Sequence, residues 1–271
     1  MIIRAVVFIF TLFCNLFSQT IDDAIYDLYN FRFDSAIEKL DELNQKNPND
    51  PLVPFLKIST QWQRSLLTDS PEESYKIIYD GIDDAVPFYH EMIKKYPNDQ
   101  NYRLFLGSLY GLKARIDLAQ GKWMELIFSG ARGFIFIDEA RKRDPELHDV
   151  YMPIGTLEYF LCKTPEALQV IGNIFGLQSD CELAIEKLET ASSKGRFSWV
   201  ESRNVLSYAY LYLERDYDKA LEVTSSLAKE FPGHPFFAYL HAEALVRLKK
   251  YEEYSSLESR LKSFYESGPQ N

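Results

Sequence analysis

The sequence predicts an all-α fold, a solenoid of about six antiparallel helix pairs. Three observations predict it. Apolar residues recur at helical spacing, with no alternating run long enough for a sheet. Turn signals built from Pro, Gly, Asn and Asp divide the chain at regular intervals. An internal period of 48 residues separates Ser59, Gly107 and Gly155, and equally Trp62 from Tyr110 and Pro97 from Pro145.

In chain order, residues 1–18 come first. Arg4 precedes an apolar run from Ala5 to Phe13, and Ser18 precedes Gln19. A basic start, roughly ten apolar residues and a small residue before a polar one mark a secretory signal peptide, with cleavage after Ser18. The alternatives are a retained anchor and a lipid attached at Cys14. The run is short for a span of about twenty residues, and Phe13 stands where lipoprotein processing takes a small side chain. Residues 19–271 then form one repeat domain, periplasmic or secreted, with no transmembrane span after cleavage.

The first hairpin is short. Ala24 to Tyr29 starts it, Ala36, Leu40 and Leu43 continue it, and Asn47-Pro48 ends it. Three longer units follow. One has Phe55, Ile58, Ser59 and Trp62 and ends at Tyr96-Pro97. The next has Arg103, Leu106, Gly107 and Tyr110 and ends at Asp144-Pro145. The third has Tyr151, Ile154, Gly155 and a late Tyr159, and ends near Gly195. Helical repeats of this kind usually take 34 residues, so each unit carries about fourteen more. Fourteen residues are close to four helical turns, so both helices of a pair can lengthen without rotating their apolar stripes out of the core. Pro87 falls inside the long helix expected over 72–95 and should kink it. The stretch from Val170 to Ser179 is apolar and holds Gly172 and Gly176, so a helix broken in two is expected there, its second part starting at Ser179 or Asp180. That stretch reads either as a buried turn or as a loop at a binding mouth. Two standard-length hairpins close the chain. Val205, Tyr208, Ala209 and Tyr212 lead to Ala220, Leu227 and Phe231-Pro232; then Pro235 to about Glu266 carries Ala242 in the small position.

Composition narrows the function classes. The chain is acidic, with a net charge of −10 and no basic stretch, which argues against nucleic acid and against docking on anionic lipid. Cys162 and Cys181 allow either a disulfide or two buried thiols, and no histidine set accompanies them to make a zinc site. Motifs for nucleophilic, metal-hydrolytic or phosphate-binding chemistry are absent. His90, His148, His234 and His241 stand apart, and the carboxylate pairs Asp22-Asp23, Asp83-Asp84 and Glu252-Glu253 point about 100° apart on a helix. Neither pattern brings an acid and a base together, so no catalysis, metal or cofactor is expected.

The quoted positions resemble the tetratricopeptide repeat superfamily over nearly all of residues 21–266, and within it exported bacterial repeat proteins with long hairpins. The resemblance implies a TPR-like α-solenoid that binds a protein or peptide in a concave groove without a cofactor. The Lys/Asn/Arg clamp of chaperone-tail binders is missing, so that activity is not implied. The repeat register puts Thr60, Gln63, Asn101, Ser108, Thr156, Tyr159, Arg203 and Tyr210 on the concave stripe. Tyr208 and Tyr212 share another helix face and read as packing residues. Hydroxyl, amide and aromatic groups with little charge suit an extended peptide or a polar neutral ligand. The expected function is a binding scaffold for a protein or peptide partner in the bacterial envelope. The alternative is a periplasmic small-molecule binder serving a solute transporter.

Overall fold

A computed structural model describes residues 21–267. The expected signal peptide, 1–18, lies outside the described residues. The described chain is all-α, with thirteen α-helices and no strand among the described residues. It divides into two compact units, the first ending at Gly81 and the second beginning at Ile82.

In the first unit, α1 (21–29) turns into α2 (Phe33–Lys46), and α3 (Val53–Thr68) leads to α4 (Pro71–Lys95), which begins here. Ala24, Leu28, Ala36, Leu40, Val53 and Trp62 form its core. The α1–α2 turn is braced by buried Asp27, whose carboxylate accepts from Ser35 Oγ at 2.6 Å and Lys39 Nζ at 2.6 Å. Charge-assisted bonds of this kind are about twice as strong as neutral ones.

The second unit contains the rest of α4, which continues as a helix through Pro87. There follow α5 (Asn101–Ala119), α6 (Trp123–Arg143), a 3₁₀ turn (His148–Val150), α7 (Tyr151–Cys162), α8 (Glu166–Ile174), α9 (Cys181–Lys194), α10 (Trp199–Tyr208), α11 (Tyr217–Glu230), α12 (Pro235–Arg247) and α13 (Tyr251–Ser267). The antiparallel pairs are α5 with α6, α7 with α9, α10 with α11 and α12 with α13. A π turn, Ala209–Leu213, prolongs α10.

The small positions explain why these helices approach closely. A Cβ on Gly107 would fall 2.5 Å from Ile137 Cγ1 and 2.7 Å from the Gly133 carbonyl. One on Gly155 would fall 3.0 Å from the Ala184 carbonyl. Gly107 and Gly155, 48 residues apart, are therefore both helix–helix contact points. The extra length of the long units is distributed differently in each. In the first long unit it goes mainly to the second helix, 16 residues in α3 against 25 in α4, and in the second it is shared, 19 in α5 and 21 in α6. In the third it becomes a separate element, α8, set between α7 and its partner α9.

The expected break in the third unit is present. After Ile174 the chain turns through Gly176, at φ +89°, where a side chain would be strained. Asp180 then caps α9 by accepting from the amides of Glu182 at 2.9 Å and Leu183 at 3.1 Å, the usual role of an aspartate at a helix start. A disulfide joins Cys162 to Cys181, with Cα atoms 5.5 Å apart, resolving the two alternatives left by composition. It ties the last residue of α7 to the first of α9 and so closes the base of the α8 lobe. On the far side of the unit, Asp149 accepts from the amides of Phe197 and Ser198, both at 2.8 Å, which holds the turn between α9 and α10.

Candidate functional site

The eight stripe residues do not make one open surface. Thr60, in the first unit, is buried and donates back to the Leu56 carbonyl at 2.7 Å. Gln63 on the same helix is half-buried. Asn101 spends its amide on Asp99 Oδ1 at 2.9 Å, at the start of α5. Ser108 and Thr156 donate to the carbonyls of Leu104 at 2.9 Å and Met152 at 2.8 Å. Such a bond serves the helix and leaves a methylene or methyl outward. Arg203 is held by Ser192 at 3.2 Å and Ser226 at 2.5 Å, with its guanidinium 4.8 Å from the Trp199 ring centre.

Tyr159 and Tyr210 are buried in a single core shared with Ala184, Leu188, Leu206 and Leu240. Each ends in a carboxylate that also takes a lysine. The Tyr159 hydroxyl donates to Glu214 at 2.6 Å, and Lys163 pairs with the same oxygen at 2.7 Å. The Tyr210 hydroxyl donates to Glu189 at 2.6 Å, and Lys219 reaches the same oxygen at 3.0 Å. Burial and the adjoining carboxylates push both phenols well above the usual range. These are cross-braces: a buried hydroxyl without a partner would cost about 1–3 kcal/mol. Neither side chain is available to a partner on an open face.

Of the two tyrosines assigned to packing, Tyr208 packs against that core as expected and Tyr212 does not. Tyr212 is exposed and Tyr208 half-buried. Tyr210 lies on the buried stripe of Leu206 and Ser202, four and eight residues back, and so enters the core. Tyr212 comes out beside Tyr208, one turn before it. At the end of this helix a π turn forms, the amide of Glu214 donating to the carbonyl of Ala209 at 2.8 Å, five residues back.

From there an aromatic ladder crosses to α12. The Tyr208 and Tyr212 ring centres are 6.0 Å apart, Tyr208 stacks on Phe236 at 5.8 Å, and Phe236 stacks on Tyr239 at 5.9 Å. Partial burial and a hydrogen bond with Tyr239 push the Tyr212 hydroxyl up to about 12, so it is a neutral donor at physiological pH. Burial raises Tyr208 as well, against the opposing pull of Arg115. Arg115 belongs to α5, so its positive charge faces the ladder from another hairpin. The site is thus four rings with hydroxyls at Tyr208, Tyr212 and Tyr239, with Arg115 acting on Tyr208 and Glu243 on Tyr212. Such a surface can stack flat groups and donate to carbonyls. In the sequence, the cue was Tyr208 and Tyr212 in α10 and its extension and Phe236 and Tyr239 in α12, each pair at helical spacing.

The histidines serve the fold. His234 caps α12, its Nδ1 accepting from the Phe237 amide at 3.2 Å, and it stacks on the Phe237 ring at 3.7 Å. His90 meets the edge of Phe136, and His148 stacks near Tyr151. Among the described residues no group of three or more His, Cys, Asp or Glu is arranged to hold a metal ion, and no helix is long and apolar enough to cross a membrane.

No protein-family model matches the chain, and no curated protein matches it. Among solved structures, the chain is similar to a thermophilic TPR protein from Thermus thermophilus, at 15% identity and a TM-score of 0.48, over 85% of this chain and 99% of that one.

Proposed function

We propose that the protein is a binding scaffold of the bacterial cell envelope and that it takes a protein or peptide partner on the aromatic ladder of α10 and α12. The observation that supports this reading is the ladder itself. Tyr212, Phe236 and Tyr239 keep exposed rings although each touches another ring. Large rings of this kind give much contact area for little entropy, and tyrosines of this type concentrate in binding surfaces. The signal-like segment at residues 1–18 supports export.

The test is native mass spectrometry of the protein purified with gentle crosslinking from its own envelope, beside a Phe236→Ala/Tyr239→Ala variant. A discrete second polypeptide on the wild type that is lost from the variant supports the scaffold. A small added mass lost from the variant supports the alternative, a small-molecule binder whose flat ligand stacks on the same rings. Identical spectra for both proteins would remove the ladder as the site.

A further inference from the structure

The lengthened α5–α6 hairpin ends in apolar side chains that the described residues leave exposed. Trp123, Met124, Ile127 and Phe128 occupy the first two turns of α6, and Leu118 faces them from the last turn of α5. Trp123 is 63% exposed and Phe128 64%. Together these five residues leave roughly 600 Å² of apolar surface, at the top of the range for the largest such patch on a monomer. They sit at the end that the extra turns of the 48-residue unit create. Further along α6, Ile135 is also exposed, and in the α8 lobe Ile174 and Phe175 are exposed. The Cys162–Cys181 disulfide secures that lobe at its base.

The charges around this tip depart from those of the whole molecule. Lys122 and Arg132 border it in sequence with Glu125, while Lys113 and Asp117 pair with each other, in a chain whose net charge is −10. Asp117 is buried, accepting from Ser129 at 3.1 Å with Lys113 at 3.7 Å. Of these two acids only Glu125 is turned to solvent, while Lys122 and Arg132 are exposed. The acidity of the chain as a whole speaks against anionic lipid; the tip has the opposite local balance.

We propose that the α5–α6 tip docks on the surface of an anionic bilayer, with Trp123, Met124, Ile127 and Phe128 entering the headgroup boundary and Lys122 and Arg132 meeting lipid phosphates. Trp, Phe and Ile bordered by Lys and Arg are the composition of an interfacial element. The tip is a convex end of a hairpin, a shape suited to entering a soft surface rather than to clasping a peptide. A second copy fits less well, because its tip would bring the same positive charges against these. The tip is separate from the ladder, so either assignment can fail alone.

The experiment is flotation of the protein, purified after export with its N-terminus verified, on vesicles of phosphatidylglycerol with phosphatidylethanolamine and on vesicles of phosphatidylcholine alone. Wild type should float with the anionic vesicles. Headgroup-proximal brominated lipid should quench a share of tryptophan emission that disappears in Trp123→Phe. Phe128→Asp should lower the partition by about tenfold or more with an unchanged circular dichroism spectrum, as expected for an exposed side chain. Arg132→Glu should weaken flotation on anionic vesicles and leave phosphatidylcholine behaviour unchanged. Three results would overturn the proposal: no flotation, flotation in which Trp123 is not quenched, or a dimer in sedimentation velocity that Phe128→Asp converts to monomer.

Discussion

The α5–α6 and α12–α13 hairpins follow the same plan and solve its difficulties differently. Both have a small residue in the first helix where the second crosses it, Gly107 in one and Ala242 in the other. Both turn through a residue in the left-handed region, Gly121 at φ +70° and Lys249 at φ +58°. Both turns close with the same long bond, from Lys122 to the Asp117 carbonyl at 2.8 Å and from Lys250 to the Leu245 carbonyl at 2.9 Å, the pattern of a left-handed helix cap. The long hairpin uses glycine at both special positions and packs backbone against backbone. The standard one accepts a Cβ at both. The lesson is that tight axial contact goes with glycine at the crossing; both tips expose apolar side chains, but the long one gathers Trp123, Met124, Ile127 and Phe128, whereas the standard one sets Val246 and Tyr251 among Arg247, Lys249 and Lys250.

The largest effect should come from the crossing point. Gly107→Val would put a Cβ 2.5 Å from Ile137 and should cost at least about 3 kcal/mol, or prevent folding. Ala242→Gly should cost about 1 kcal/mol, the ordinary propensity difference. Urea unfolding of both variants measures the contrast, and equal losses would erase the distinction between the hairpins.

Replacing Cys162 and Cys181 by serine comes next. The two are 19 residues apart in sequence, and opening a loop of that size should cost about 3 kcal/mol. Limited proteolysis should then cut first within 166–178, because the lobe loses its base; cutting elsewhere would mean that the lobe is held by packing alone.

The third test concerns the start of α12. Burial pushes His234 down to about 3, below the ordinary 6.5, so the folded state takes it neutral while the unfolded chain protonates. Its contribution is fully present above the unfolded value and is lost as pH falls toward the folded one. Between about pH 7 and 5, stability should fall by about 2 kcal/mol from this residue. His234→Asn keeps an acceptor at the cap and should flatten that part of the profile in thermal melts at several pH values. A profile with unchanged slope would assign the loss to other groups.

The smallest effect is at the turns. Lys249→Gly should raise stability by about 1 kcal/mol by relieving a left-handed non-glycine residue, and Gly121→Lys should lower it by a similar amount. Melting temperatures that move in the same direction for both would contradict the shared turn geometry.

Much of this arrangement was legible beforehand. Gly107 and Gly155 marked the crossings because only small residues admit a neighbouring helix there. Asp180 and the paired glycines marked the break before α9 because capping and turn chemistry are local. The candidate site was less legible. Tyr210 was expected on an open stripe, but it follows buried Leu206 and Ser202 on a face that other helices cover. Which stripe of a helix is covered depends on its neighbours, and the helix's own sequence does not state it. Thr60, Ser108 and Thr156 had the right chemistry for a polar stripe, but hydroxyls on helices can bond the preceding turn, and these do.

By itself, then, the sequence determined the helix pairs, their crossing points and their stops, since the helical periodicity, small side chains and turn residues act over a few residues. Only the tertiary structure decided which aromatic rings are covered, that Cys162 meets Cys181, and that Trp123 and Phe128 remain exposed. Those outcomes depend on which distant helix lies against each side chain, and exposure is a property of that neighbour as much as of the residue.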